Sequence, residues 1–292
     1  MSHEIFLSPE PFDAEAIRAW FAARGRYTFD GNVIRYANDD TDLAFVLQIM
    51  DRPAASDPHV WITADYLAPH TLALEIAGEV EAFLSQFGGV AKDAQVVGDA
   101  PFSREAMLKA WDEAARECFS SITPPGGDDR LFAADAALID AVWDWNANRA
   151  AMQAAAGNSV FVPKVCWVRP GAGDDVFACV TWNWGIPTVI PENLVTRLVL
   201  VRQPKPGLMQ MFSRQKAQEA RPELKLINVE SGIRLRGLEP CRFQGRDVLL
   251  APPTGTLEVQ TLFLGSWPKA NFSTIPQNRV CGAEFIDLLE NR

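Results

Sequence analysis

The chain has 292 residues, 48% of them apolar and 22% charged, with a formal net charge of −10. Those proportions describe a globular protein with enough apolar material to fold without disulfides or metal. The acidity argues against general nucleic-acid binding, which needs basic surface to displace counterions from phosphates, and no apolar run nears the roughly 20 residues of a membrane helix.

Residues 4–7 read as a first strand. Asp13 then suits an N-cap, with Phe12 before it and Ile17 four positions into the helix, the spacing of a hydrophobic staple. Ile17, Trp20 and Phe21 form the apolar face and Gly25 ends the helix. Residues 26–29, 33–36, 43–49 and 60–64 are rich in β-branched or aromatic side chains. Turn-forming segments separate them (Asp30-Gly31, Asn38-Asp39-Asp40-Thr41 and the proline-containing 51–58), so they predict a meander.

A second helix is predicted over 71–87. Leu72, Ile76, Val80, Phe83, Leu84 and Phe87 recur with a 3.6-residue period, and Gly88-Gly89 stops them. A short strand is expected at 95–97. Ser103 then caps a third helix, with Phe102 and Met107 repeating the staple and Met107, Trp111, Ala115 and Cys118 along its buried face. Pro124-Pro125-Gly126-Gly127 breaks the chain. A long Ala-rich helix over 131–156 reads as a connector. Trp143 and Trp145, two apart, point about 200° from one another on it, which suits a helix packed on both sides.

The remainder reads as β-structure. Residues 160–169 and 176–182 flank Gly171-Ala172-Gly173-Asp174-Asp175, and a hairpin centred there sets Cys166 opposite Cys179. Further strands are expected at 194–202, 224–229, 233–238, 247–251 and 257–264, with a helical segment at 208–220 and a last turn at 285–289. The fold class is therefore α+β. An acidic domain with an antiparallel meander and three helices spans 1–123, a breaker and connector helix 124–158, and a mainly antiparallel β domain 159–292.

Charge divides unevenly. Residues 1–157 hold 25 Asp and Glu against 11 Lys and Arg, whereas 158–292 hold 12 against 16. The five cysteines, at 118, 166, 179, 241 and 281, are odd in number and include no CxxC pair. They fit reduced thiols rather than a disulfide framework or a zinc site. The first nine residues lack a basic n-region and a long apolar stretch, so the expected location is cytoplasmic.

Most enzymatic signatures are missing: no phosphate-binding GxxxxGK[ST], no GxGxxG after a strand, no GxSxG and no HExxH. His3 belongs to a terminus expected to fray. His59 and His70 flank one strand and, with Asp65, are the candidates for general-base chemistry in a cleft between domains; surface or capping roles are the simpler reading. Cys241, with Pro240 and Arg242 beside it, is the best-placed thiol for reactivity, though a structural role is the simpler reading.

Asp39, Asp40 and Asp42 read first as ordinary turn chemistry, then as an acidic, partner-facing patch, and last as a catalytic or cation site, for which the EF-hand pattern is missing. Trp182 and Trp184 share one face if extended, where they would anchor a partner or stack on a ligand; otherwise they are core. Arg234 and Arg236 share a strand face and, with Arg242 and Arg246, could make an anion site; a solvated strand face is the simpler account, and docking against the acidic N-terminal half would also use these charges.

No metal or cofactor is implied. The leading expectation is a non-enzymatic protein that binds a basic protein partner, in its specific form a bacterial immunity-type protein occluding a toxin. The alternatives are a hydrolase-like enzyme using scattered His and Asp residues and an aromatic-lined small-ligand or carbohydrate module.

Overall fold

A computed structural model describes residues 2–50, 59–97, 101–171, 173–192, 194–195, 197–202, 223–228, 238–254 and 272–290. The chain forms two compact units, one of residues 1–140 with 276–292 and one of 141–275. The fold is α+β, and the second unit is mainly antiparallel β.

The first unit is built on a six-stranded antiparallel sheet: β1 (Ser2–Ser8), β2 (Tyr27–Asp30), β3 (Val33–Asn38), β4 (Leu43–Ile49), β5 (Val60–Asp65) and β6 (Val90–Asp93), in the order β2-β3-β4-β5-β1-β6. Period-2 alternation sends Ile5, Leu7, Ile34, Tyr36, Leu43, Phe45, Leu47, Ile49, Val60 and Ile62 to one buried face. The helices α1 (Ala14–Ala22), α2 (Thr71–Phe87) and α3 (Arg104–Ser121) supply the apolar faces expected of them. Asp13 caps α1, accepting from the Glu15 and Ala16 amides at 3.0 Å, and the Ser103 hydroxyl accepts from Ala106 at the start of α3.

Two buried carboxylates tie α2 to the sheet. Glu75 accepts from the Tyr36 hydroxyl at 2.7 Å and from the Asn38 amide at 3.2 Å. Glu79, one helical turn on, accepts from the Tyr27 hydroxyl at 2.5 Å and pairs with Arg24 at 2.8 Å. A buried polar group is tolerated when it is bonded in this way.

The expected strand at 95–97 is a turn instead, and the sheet's last strand lies earlier, at β6. Asp93 accepts from the Gln95 amide at 2.9 Å, which bends the chain away, and Val97 is 98% exposed. The β-branched pair Val96-Val97 carries strand propensity but pairs with no strand among the described residues.

The C-terminal residues return to the first unit, so its boundary differs from the expected 1–123. Strand β7 (Phe132–Ala134) pairs in parallel with β16 (Val280–Gly282). The segment expected as a last turn at 285–289 is a helix, α5 (Ala283–Glu290), whose Phe285 ring lies 5.2 Å from that of Phe119 on α3. The division between units falls within α4 (Ala136–Ala156), the expected long helix, rather than before and after it.

The second unit contains β8 (Val165–Pro170), β9 (Phe177–Trp182), β10 (Thr188–Pro191), β11 (Arg197–Arg202), β12 (Glu223–Asn228), β13 (Glu239–Phe243), β14 (Arg246–Ala251) and β15 (Phe272–Ile275). They form a five-stranded sheet, β12-β11-β9-β8-β15, and a three-stranded one, β10-β14-β13. Among the described residues, the ladders between these strands are antiparallel except β11 with β9, and a single parallel bridge joins Phe161 to Thr188 of β10. The β8–β9 hairpin has the expected register, with Cys166 opposite Cys179.

Helix α4 holds the entry to β8 through side chains. The Asn146 amide bonds both the N–H and the carbonyl of Val165 at 2.8 Å, as a neighbouring strand would, and the Trp145 indole donates to the Pro163 carbonyl at 2.9 Å. The expected elements at 208–220 and 257–264, and 233–237 of the strand at 233–238, lie outside the described residues. Among the described residues no helix is long and apolar enough to cross a membrane.

Two glycines test the backbone argument. Gly89 has φ +81° and a Cβ there would meet the Ser8 carbonyl oxygen at 2.1 Å, whereas Gly157 has φ +62° and open space around it. Gly157→Ala should cost about 1–2 kcal/mol, the left-handed penalty alone. Gly89→Ala should cost clearly more, because two main-chain segments must separate. Urea midpoints of the two variants measure the difference, and equal losses would contradict the close approach.

Candidate functional site

The first unit carries an open cavity of about 310 Å³ among the helices α2, α3, α4 and α5. Its walls follow from helical periodicity. On α2 and the residue preceding it, His70, Ala73 and Leu74 stand at i, i+3 and i+4; on α3, Leu108, Trp111 and Asp112 repeat that spacing; on α4, Ala136 and Asp140 stand one turn apart. Glu284 and Phe285 of α5 complete it.

The chain reaches His70 through a local turn. Asp65 ends β5 and accepts from the Leu67 amide at 2.9 Å, and the Pro69 carbonyl accepts from Leu72 as α2 begins. His70 occupies the position before the first helical residue, but its side chain caps nothing. Its Nε2 instead donates to Asp140 Oδ1 at 2.6 Å. The carboxylate only accepts, so the proton on this bond belongs to the imidazole.

Beside this pair stand Asp112 and Glu284. Asp112 accepts from Arg116 Nε at 2.9 Å, and the Arg116 guanidinium lies 5.1 Å from the Phe285 ring centre. The cavity thus carries three carboxylates and one imidazole above a wall of Ala73, Leu74, Leu108, Trp111, Ala136 and Phe285. Its lower-end volume suits one amino-acid side chain or a small molecule. The carboxylates stand at the solvent-facing edge of the hollow, with the Arg116 cation beside Asp112 and Glu284, so the charge left over attracts cations over short range.

Behind the Trp111 wall lies a second polar group that the sequence did not reveal. His3, expected in a fraying terminus, is a core residue of β1 and only 1% exposed. Its Nε2 donates to Asp93 Oδ2 at 3.0 Å, and the Tyr66 hydroxyl donates to its Nδ1 at 3.2 Å. The His3 and Tyr66 rings each lie 5.2 Å from that of Trp111. The signal available in sequence was the alternation of His3 with Ile5 and Leu7, which puts all three on one face.

The other expected site residues do not converge. His59 and Asp65 stand at opposite ends of β5, about 20 Å apart by strand rise. His59 stacks on Phe12 with ring centres 4.5 Å apart, and Asp65 is occupied in its turn. His70 is the one of the three that lines the cavity. Asp39, Asp40 and Asp42 sit in the β3–β4 turn, where the Asn38 carbonyl accepts from Thr41 and Asp42 and Asp42 has φ +56°. Asp39 is exposed and the other two are half-buried.

Trp182 is fully buried, its indole donating to the Pro252 carbonyl at 2.6 Å, so it is core and offers no face to a partner or ligand. Trp184 follows the end of β9 and is half-buried. Asn183 between them turns the chain by accepting from Gly185 at 2.8 Å, so the two indoles do not extend along one strand.

Arg242 and Arg246 lie on opposite faces of the β13–β14 hairpin, because Arg242 opposes Asp247 and Phe243 opposes Arg246. Arg242 pairs with Asp247 at 3.4 Å and Arg246 with Asp144, so the two do not make a joint anion site. Arg234 and Arg236 lie outside the described residues. Cys241 is exposed on β13. Among the described residues no three His, Cys, Asp or Glu side chains group as metal ligands.

Comparison with protein-family models, curated proteins and solved structures gave no match for this chain.

All three tyrosines of the chain are buried, and burial pushes each hydroxyl above its usual value, with Glu79, Glu75 and Asp93 respectively adding to the shift at Tyr27, Tyr36 and Tyr66. A hydroxyl raised in the folded state stabilises the fold below the unfolded value of about 10, and that contribution is lost as pH rises above it. Alkaline titration followed by tyrosinate absorbance should therefore show no ionisation near pH 10, and all three should ionise together as the protein unfolds. A tyrosine titrating at its ordinary value in folded protein would contradict the buried networks.

Proposed function

We propose that this is a non-enzymatic binding protein whose helical cavity takes a positively charged side chain with an apolar stem, presented by a basic protein partner. The observation that carries the reading is the negative mouth, Asp112, Asp140 and Glu284, above an apolar and aromatic wall. A lysine or arginine matches both parts: its methylene stem buries against Leu74, Leu108 and Phe285 while its head meets the carboxylates. Excess acidic charge in residues 1–157 adds long-range attraction that speeds encounter with such a partner. A bacterial immunity-type protein that occludes a cytoplasmic toxin is the specific form we favour, since occlusion requires an anchored, charge-complementary surface and no chemistry.

A second reading rests on the His70–Asp140 contact. An imidazole oriented by a carboxylate at a cavity is the arrangement of a general base, so hydrolysis of a small ester or amide through an activated water is the competing function. No serine, threonine or cysteine is among the described residues lining the cavity, so this reading has no side-chain nucleophile there.

The two separate by experiment. A short peptide of lysine and leucine should bind the protein at low salt, as calorimetry would measure. Replacing Asp112→Asn, Asp140→Asn and Glu284→Gln together should weaken it about tenfold to a hundredfold, at roughly 0.5–1 kcal/mol per charge. Unchanged affinity in the triple variant would remove the cavity from the reading. For the hydrolase, chromogenic esters and amides should turn over and His70→Ala should abolish it; no turnover in the unaltered protein ends that alternative.

A further inference from the structure

The cysteines of the second unit carry an inference independent of the cavity. We propose that Cys166 and Cys179 form a dithiol–disulfide site that closes by exchange with a low-molecular-weight disulfide such as oxidised glutathione. The two residues are direct cross-strand partners on β8 and β9, so their side chains leave the same face of the sheet. Directly opposed residues of an antiparallel pair have Cα atoms about 4.5–5.5 Å apart, inside the roughly 4.4–6.8 Å that a disulfide spans. Their Cβ atoms, about 4.5–5.5 Å apart in such pairs, must close a little toward the roughly 3.8 Å of a relaxed bridge. A bridge closed this way is the readily reduced kind, which suits a reversible site.

Exposure differs between the two in the sense the exchange needs. Cys166 is half-buried and reachable, whereas Cys179 is 2% exposed and packs with Val168, Phe177 and Phe272. The Cys166 thiolate attacks one sulfur of the external disulfide, forming a mixed disulfide and releasing one small thiol. Cys179 then attacks the Cys166 sulfur and expels the second small thiol. The protein loses two hydrogens, the reagent gains them as two thiols, and one disulfide is exchanged for another.

The remaining cysteines do not compete for this bridge. Cys118 and Cys281 belong to the first unit and are buried there, which keeps an external disulfide from reaching either thiol, and neither stands across a strand pair from another cysteine. Cys241 is exposed on β13, opposite Val248, and can only accept an adduct.

The test uses the full chain carrying Cys241→Ser, which leaves four of the five thiols. After incubation with oxidised glutathione, two of the four should be lost with no glutathione retained. Cleavage at Asp174 and Asp175 should then leave the segments bearing Cys166 and Cys179 joined only through sulfur, and a dithiol reductant should restore four thiols. Adding Cys179→Ser should stop the reaction at a stable glutathione adduct on Cys166. Retention of all four thiols, a stable adduct with Cys179 present, or a bridge involving Cys118 or Cys281 would each overturn the proposal.

Discussion

Helix α2 is seated on the sheet by two carboxylates that are largely buried. Glu75 and Glu79, one turn apart on its inner face, take the hydroxyls of Tyr36 and Tyr27 and the amide of Asn38, with Arg24 supplying charge at the edge. An unbonded carboxylate in that position would be strongly destabilising, so register along the helix and register along β2 and β3 are locked together. The N-terminal turn of the same helix carries His70, Ala73 and Leu74 into the cavity. The position of the candidate site is therefore set by hydrogen bonds on the other side of the helix that supports it.

The cavity is a packing consequence of four helices that meet around small residues. Ala73 and Ala136 leave room that larger side chains would fill, and Trp111 closes the floor while being held from behind by His3 and Tyr66. A hollow whose mouth is charged and whose wall is aromatic offers a cation two kinds of contact at once, and a floor braced by a buried His–Asp–Tyr group is poorly able to collapse into the space.

The second unit uses its polar aromatic segments structurally. Trp145 and Asn146 bind backbone at the entry to β8, and Trp182 and Asn183 bind backbone at the exit from β9. The same hairpin brings Cys166 and Cys179 together. Trp182, a partner or ligand face if its segment were extended and exposed, is core because its indole N–H finds the Pro252 carbonyl.

What the sequence determined by itself is the local part. The caps at Asp13 and Ser103, the bounds 71–87 of α2, the alternation along β3–β5 and the cross-strand pairing of Cys166 with Cys179 are all legible, because caps, periodicity and hairpin register depend on residues close in the chain. The cavity was legible only in part: His70 stood out as a histidine, but Asp140, Asp112 and Glu284 were ordinary helix carboxylates. Tertiary structure alone decided that β6 precedes the expected strand, that the C-terminal helix returns to the first unit, and that Arg242 and Arg246 face apart. Those outcomes depend on which distant segments pack together, and that choice is made by burial summed over the whole chain rather than by any short run of residues.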